Sequence, residues 1–207
     1  MTDSPAHRRQ LVEYCHHLYQ RGLVGGTQGN VSIRSAKNNI LITPTGKNLG
    51  FLKASDLVTM SLKGERKAGK YMPSSEHNLH TGIYRSRPDI NAVVHAHPIA
   101  ATACALAGID MNQPILPEII ITFGKIPLID YGTPGTPELF EKLKPQVDKH
   151  TAFLLQNHGA VTLGHDLEEA FNRMEMLERY AQVMLMAHRA GKIKKLTAMQ
   201  VSKLTMI

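Results

Sequence analysis

Three histidines are the residues of this chain best placed to do chemistry. His95-Ala96-His97 sets two imidazoles two residues apart at the end of the apolar run Ile90-Asn91-Ala92-Val93-Val94. Alternate side chains of a β-strand share a face, so both rings would aim at one point. Neutral imidazole is a common zinc ligand, and a catalytic zinc typically takes three protein ligands and keeps a fourth position open. The best third ligand is His158, in the turn Asn157-His158-Gly159 that follows the apolar run Ala152-Phe153-Leu154-Leu155. A lone histidine on an apolar face is usually a hydrogen-bonded core residue. Two at strand spacing and a third in a strand-end turn favour a catalytic metal, zinc first, with other divalent ions open. The other histidines do not share this pattern. His16 and His17 lie on a first predicted helix, His77, His80 and His188 on others, and His7, His150 and His165 in terminal or loop segments. They read as structural or surface residues.

A second chemistry is anion binding. Pro73-Ser74-Ser75-Glu76 places two hydroxyls and early backbone N–H groups at a helix N-terminus, where unsatisfied donors and the macrodipole favour a phosphate. Alone, it is equally a serine N-cap with Glu76 as a favourable first-turn acid. Gly25 to Asn30 and Thr43-Pro44-Thr45-Gly46 are further turns able to aim backbone donors at an anion. Neither is a nucleotide fingerprint: the first follows a helix, and Gly46-Lys47-Asn48 lacks the flanking residues of a P-loop. Singly each reads as an ordinary turn; with Ser74-Ser75 they suggest a phosphate cradle made by three separated loops.

The elements that must position these groups are legible in outline. Residues from about 5 to 21 read as an amphipathic helix, followed by short β-like runs at Val31 to Arg34 and Ile40 to Thr43, joined through Lys37-Asn38-Asn39, and a third at Leu57 to Ser61. Ser75 to Tyr84 predicts a helix, Ala92 to His97 the strand of the paired histidines, ended by Pro98, and about 99 to 107 an alanine-rich helix closing at Gly108. Ile126 to Ile129 and Phe153 to Leu155 look like buried strands. Asp166-Leu167-Glu168-Glu169 resembles a capping box opening the longest helix, to about 190, whose apolar face is Phe171, Met174, Leu177, Ala181, Met184 and Leu185. Strands interrupted by helices, with hairpin-like segments as well, predict a layered α/β sandwich with a mixed or largely antiparallel sheet.

Composition bounds the rest. With 207 residues and 43% apolar content, the chain predicts one globular domain over 1–207, with a short basic tail from about 191 around Lys192-Ile193-Lys194-Lys195. No apolar stretch approaches the roughly 20 residues that span a bilayer, and the N-terminus lacks a secretory apolar region, so the expectation is a cytoplasmic protein with no membrane partner. A net charge of +7 is compatible with nucleic acid or with a phosphorylated metabolite. At 5% aromatics and no tryptophan, a nucleic-acid partner read by stacking is not expected. Cys15 and Cys104, without CxxC spacing, read as buried thiols.

Taken in order, Gly29-Asn30, Thr43-Pro44-Thr45-Gly46, Pro73-Ser74-Ser75-Glu76, His95-Ala96-His97 and Asn157-His158-Gly159 resemble the class II aldolase and adducin family, over about residues 8–190. That resemblance implies a three-layer α/β/α sandwich with a central mixed, largely antiparallel sheet, in a homotetramer with interfacial active sites. It implies one Zn2+ per subunit on His95, His97 and His158, Glu76 as catalytic acid/base, and a phosphorylated sugar held by Asn30, Thr45, Gly46, Ser74 and Ser75. The implied reaction is reversible cleavage of a ketose 1-phosphate, such as fuculose or a related deoxypentulose 1-phosphate, to dihydroxyacetone phosphate and an aldehyde, with a Lewis acid stabilising the enediolate. Alternatives on the same fold are a ribulose-phosphate 4-epimerase, a methylthioribulose-phosphate dehydratase, a sugar-acid phosphate decarboxylase and a non-catalytic adducin-like module. The chain departs from the aldolase pattern where tyrosines serve the aldehyde half: it has Ile115-Leu116-Pro117-Glu118-Ile119 there, and no tyrosine after Tyr180. Glu118 is an available carboxylate that reads as a surface or interface acid.

Overall fold

Ser4 caps the first helix: its hydroxyl accepts from the His7 amide, Pro5 occupies the first turn, and α1 runs Pro5–Gln20 with Leu11, Cys15 and Leu18 buried. The computed structural model describes residues 4–35 and 38–204. Strands β1 (Asn30–Ser35), β2 (Asn39–Ile42), β3 (Val58–Ser61) and β4 (Arg66–Ala68) follow, then α2 (His77–Ser86), β5 (Ala92–Ala96), α3 (Ile99–Ala107) and α4 (Pro117–Phe123). The chain continues through β6 (Leu128–Ile129), α5 (Pro137–Val147), β7 (Ala152–Leu155), β8 (Gly159–Gly164), α6 (Leu167–Ala190) and α7 (Ala198–Leu204). The connection expected at Lys37-Asn38-Asn39 is described only from Asn38, which has φ 59°; Lys37 lies outside the described residues.

The strands form one sheet in the order β4-β3-β2-β1-β5-β8-β7-β6. Its pairings are antiparallel except β6 with β7, so the sheet is mixed and largely antiparallel. Strand periodicity divides the core in two. Val31 and Ile33 of β1 and Ala92, Val94 and Ala96 of β5 pack with α1, α3 and α6, through Leu11, Cys104, Met174 and Leu177. Val93 of β5 and Phe153 and Leu155 of β7 pack on the opposite face with α2 and α5, through Leu79, Ile83, Phe140 and Leu143. The result is the expected three-layer α/β/α sandwich. Both cysteines are buried free thiols. Among the described residues, no helix is long and apolar enough to cross a membrane.

Several boundaries differ from the sequence reading for identifiable reasons. Helix α2 begins at His77, two residues after the expected Ser75, because the Ser74 hydroxyl and carbonyl accept from Glu76 N and His77 N and hold a turn there. Only Leu128 and Ile129 of the run from Ile126 are strand. Strand β8 and helices α4, α5 and α7 were not anticipated. Gly159-Ala160-Val161-Thr162-Leu163-Gly164 is buried throughout and shows no alternation, while α5 carries Pro145 inside it. Asp166 caps α6 as expected, its carboxylate accepting from Glu169 N at 2.8 Å. Glu169 instead reaches one residue further back, accepting from His165 N at 2.6 Å.

Candidate metal centre and active site

Sheet register brings the histidines together. Asn30 pairs with His95 across β1 and β5, and Ala96 pairs with Ala160 across β5 and β8, so the start of β1, the end of β5 and the β7–β8 turn meet at one end of the sheet. That turn is three residues long, Gln156 to His158 between the paired Leu155 and Gly159, and Asn157 takes φ 56° within it. Glycine is required next: a Cβ at Gly159 would lie 2.5 Å from Ala96 O and 2.9 Å from His97 Cδ2. Gly29 is required for a similar reason, since its φ is 75° and a Cβ would sit 2.9 Å from His95 O. Asn-His-Gly is therefore a turn whose glycine lets the His97 ring lie against the neighbouring strand.

The His95 and His97 rings share a face, as their two-residue spacing predicts, and the His158 ring joins them from the β7–β8 turn. Centroid separations are 4.9 Å for His95–His97, 4.7 Å for His95–His158 and 5.0 Å for His97–His158, and one ligand atom from each lies within 4.8 Å of the others. His95 Nδ1 stands 3.0 Å from Ala160 O, an acceptor, so Nδ1 carries a proton, and the neutral form of the ring, the one that ligates a cation, turns a bare Nε2 inward. That Nε2 faces His97 Nε2 at 3.1 Å and Glu76 Oε2 at 3.0 Å. His158 Nε2 lies 3.3 Å from Glu76 Oε1, which has no hydrogen-bond partner. Three ring nitrogens and a carboxylate thus face a common point, and the donor set fits a divalent cation such as zinc on His95, His97 and His158.

The electrostatics favour the neutral form at two of the three rings. Burial lowers His97 to about 3, with His95 and His158 adding to the fall, and lowers His158 to about 4, with His95 adding. Both rings are therefore neutral, ligand-competent bases at ordinary pH. Burial alone would raise the Glu76 carboxyl and lower His95, but their 3.0 Å contact overrides it in each: Glu76 is held below the carboxylate range and His95 is raised.

Glu76 sits at the N-cap position of α2 and is 7% exposed, its Oε2 also accepting from Asn30 Nδ2 at 2.8 Å. It opens onto a cavity of about 260 Å³ that also meets His97, His158 and the three turns singled out in the sequence. Thr45, Gly46, Ser74 and Ser75 line it together, because Ser74 N donates to Thr43 O and Thr45 N to Met72 O, zipping one turn against the other. Asn30 lines the same cavity, but its amide is turned onto Glu76 and His80. Thr27 and Gln28, from the Gly25 to Asn30 turn, and the Pro134-Gly135 turn complete the wall; the sequence pointed to the first turn and not to the second. Glu118 is exposed on α4 and lies outside this cavity.

Known proteins share this architecture. The chain is 41% identical over 182 residues to the L-fuculose phosphate aldolase of Methanococcus maripaludis, covering 87% of this chain and 97% of that relative. It is 37% identical over 203 residues to the 3-oxo-tetronate 4-phosphate decarboxylase of Pectobacterium atrosepticum, covering 96% of this chain and 92% of that relative. Among solved structures, YgbL of Klebsiella pneumoniae superposes with a TM-score of 0.91 at 35% identity and covers 99% of both chains. The Class II Aldolase and Adducin N-terminal domain matches residues 9–185. With its sheet, its three-histidine cluster and these relatives, the chain belongs to the class II aldolase and adducin family.

Proposed function

We propose that this protein is a zinc-dependent enzyme that decarboxylates a phosphorylated 3-oxo sugar acid of the 3-oxo-tetronate 4-phosphate type, releasing dihydroxyacetone phosphate. The observation that carries the choice is the match with decarboxylase relatives over 96% of this chain, beyond the 87% matched by the aldolase relative. The makeup of the cavity supports it. Aldol cleavage needs two acid–base events, removal of a hydroxyl proton from the departing aldehyde half and protonation of the carbon left behind. Decarboxylation needs only the second, because the carboxylate leaves as neutral CO2. Among the described cavity residues, Glu76 is the one carboxylate, and that single group suffices for decarboxylation.

In such a substrate the C2 carbon bears a hydroxyl and lies between the C1 carboxylate and the C3 ketone. When C1–C2 breaks, the electron pair delocalises towards the C3 oxygen, CO2 departs, and one proton added at C2 gives dihydroxyacetone phosphate. A divalent cation held by His95, His97 and His158 would supply Lewis-acid stabilisation of charge on the C2 and C3 oxygens. Glu76, its Oε2 tied by Asn30 and its Oε1 without a hydrogen-bond partner, is ionised at rest, so it takes a proton from solvent water and passes it to C2 as CO2 departs. Thr45, Gly46, Ser74 and Ser75, with the second Asn30 amide hydrogen, hold the phosphate and thereby spend remote binding energy on orientation. As membership of the family implies, the proposed assembly is a homotetramer with active sites at subunit interfaces.

A second reading, aldol cleavage of fuculose 1-phosphate or a related ketose 1-phosphate, is favoured by the 41% identity to the aldolase relative. Both readings share dihydroxyacetone phosphate as product and differ in the fragment released with it. The zinc-loaded protein is therefore offered 3-oxo-tetronate 4-phosphate and fuculose 1-phosphate separately, with enzymatic detection of dihydroxyacetone phosphate and capture of CO2. Equimolar CO2 and dihydroxyacetone phosphate from the acid is the expected result. Turnover of the ketose alone, with an aldehyde and no CO2, refutes the proposal in favour of the second reading.

A further inference from the structure

Behind the site, between β1 and α2, runs a column of polar side chains that the proposed chemistry does not yet use. Alternation along β1 turns Asn30, Ser32 and Arg34 towards α2, which answers with Glu76, His80 and Tyr84 at four-residue intervals. The two spacings run in step, since two strand residues advance about 6.6 Å and four helical residues about 6 Å. His80 and Tyr84 are 0% and 1% exposed.

From Ser32 to the carboxylate, each hydrogen bond in the column has one permitted direction. Asn30 gives Nδ2–H to Glu76 Oε2 at 2.8 Å, which leaves its Oδ1 facing His80 Nε2 at 2.5 Å. An amide oxygen only accepts, so His80 Nε2 carries the proton and a neutral ring leaves Nδ1 as an acceptor. Ser32 Oγ lies 2.6 Å from that Nδ1 and donates to it. Tyr84 closes the far end, its hydroxyl 2.9 Å from both Ser32 Oγ and Ser32 O. Donors therefore run one way, from Ser32 through His80 and Asn30 to the carboxylate.

We infer that His80, pinned as its Nε2–H tautomer by Ser32, is a positioning residue that orients the Asn30 amide so that Nδ2–H meets Glu76 Oε2 and leaves Oε1, beside His158 Nε2, without a hydrogen-bond partner. Without the His80 donor the amide can turn over and set its carbonyl against the carboxylate, acceptor to acceptor. The inference rests on Glu76 acting at the reacting carbon.

Two readouts separate these claims. The first is ring-nitrogen NMR of the zinc-loaded protein labelled with 15N-histidine. His80 is expected to show a protonated Nε2 and a bare Nδ1 from about pH 6 to 9; a protonated Nδ1 in that range overturns the inference. The second is deuterium uptake by dihydroxyacetone phosphate in heavy water, which reports the proton step common to both substrate readings. His80→Phe should lower the maximal exchange rate about 10–100-fold with zinc content and melting temperature retained, and KM within about threefold. His80→Gln, which restores an N–H towards Asn30, should recover most of it. Should the phenylalanine variant fail to fold, Ser32→Ala, which unpins the tautomer, carries the test with a loss in the same direction. Unchanged exchange in folded, zinc-loaded variants overturns the positioning role. No exchange by the unsubstituted protein refutes the Glu76 reading instead, while the NMR result still decides the His80 tautomer.

Discussion

His80 makes the stability of this protein depend on pH in a calculable way. Burial pushes its pKa down to about 3, with His95 adding to the fall, whereas an unfolded histidine titrates near 6.5. Between those values the unfolded chain binds a proton there that the folded one does not, so stability is lost as pH falls through this window. At pH 5 the gap from 6.5 is about 1.5 units, which at about 1.4 kcal/mol per unit makes a loss of about 2 kcal/mol relative to pH 7.5. Glutamine at this position does not titrate. Urea unfolding of the wild type and His80→Gln in chelator, at pH 7.5 and pH 5, should therefore give a pH-induced loss about 2 kcal/mol larger in the wild type, other groups cancelling in the difference. Equal losses in the two proteins would show that His80 is not a buried neutral imidazole, and the hydrogen-bond column behind Glu76 would fall with it.

Other consequences follow from the same contacts. Gly159→Ala forces a methyl against Ala96 O and the His97 ring, and should weaken zinc binding about 10–100-fold in competition with a chromophoric chelator. Glu76→Gln keeps the three histidines and should retain zinc by elemental analysis, while dihydroxyacetone phosphate release falls about 10²–10⁴-fold. Glu178, buried on α6, accepts from Ala100 N at 3.1 Å and Ala101 N at 2.9 Å and so caps α3 just beyond His97. Removing both bonds in Glu178→Ala should cost about 3 kcal/mol, a fall of roughly 6–12 °C in calorimetric Tm.

What the sequence disclosed, and what it concealed, follows from whether a signal was local. Period-two placement of His95 and His97 is local geometry, and so is the glycine-bearing turn at His158; both survive translation into three dimensions. The order of strands and helices likewise revealed a layered sandwich. Strand β8 escaped because it is buried on both faces and shows no alternation, although it carries the Ala160 carbonyl that fixes the His95 tautomer. Helix α5 escaped behind Pro145. His80 read as one more helical histidine, and its meaning depends on Asn30 and Ser32, which lie 50 and 48 residues away in sequence. The Asn30-x-Ser32-x-Arg34 alternation and the Glu76, His80, Tyr84 spacing were both present, but only pairing of β1 beside α2 makes them one column.

The central claim is that His95, His97 and His158 form a metal centre facing Glu76. Anomalous diffraction at the zinc edge, from crystals of protein purified without added chelator, tests it most directly. One peak per chain is predicted, about 2.0–2.1 Å from Nε2 of each of the three histidines. Zinc bound by other residues, or a cluster that stays empty when zinc is supplied in excess, would contradict the account.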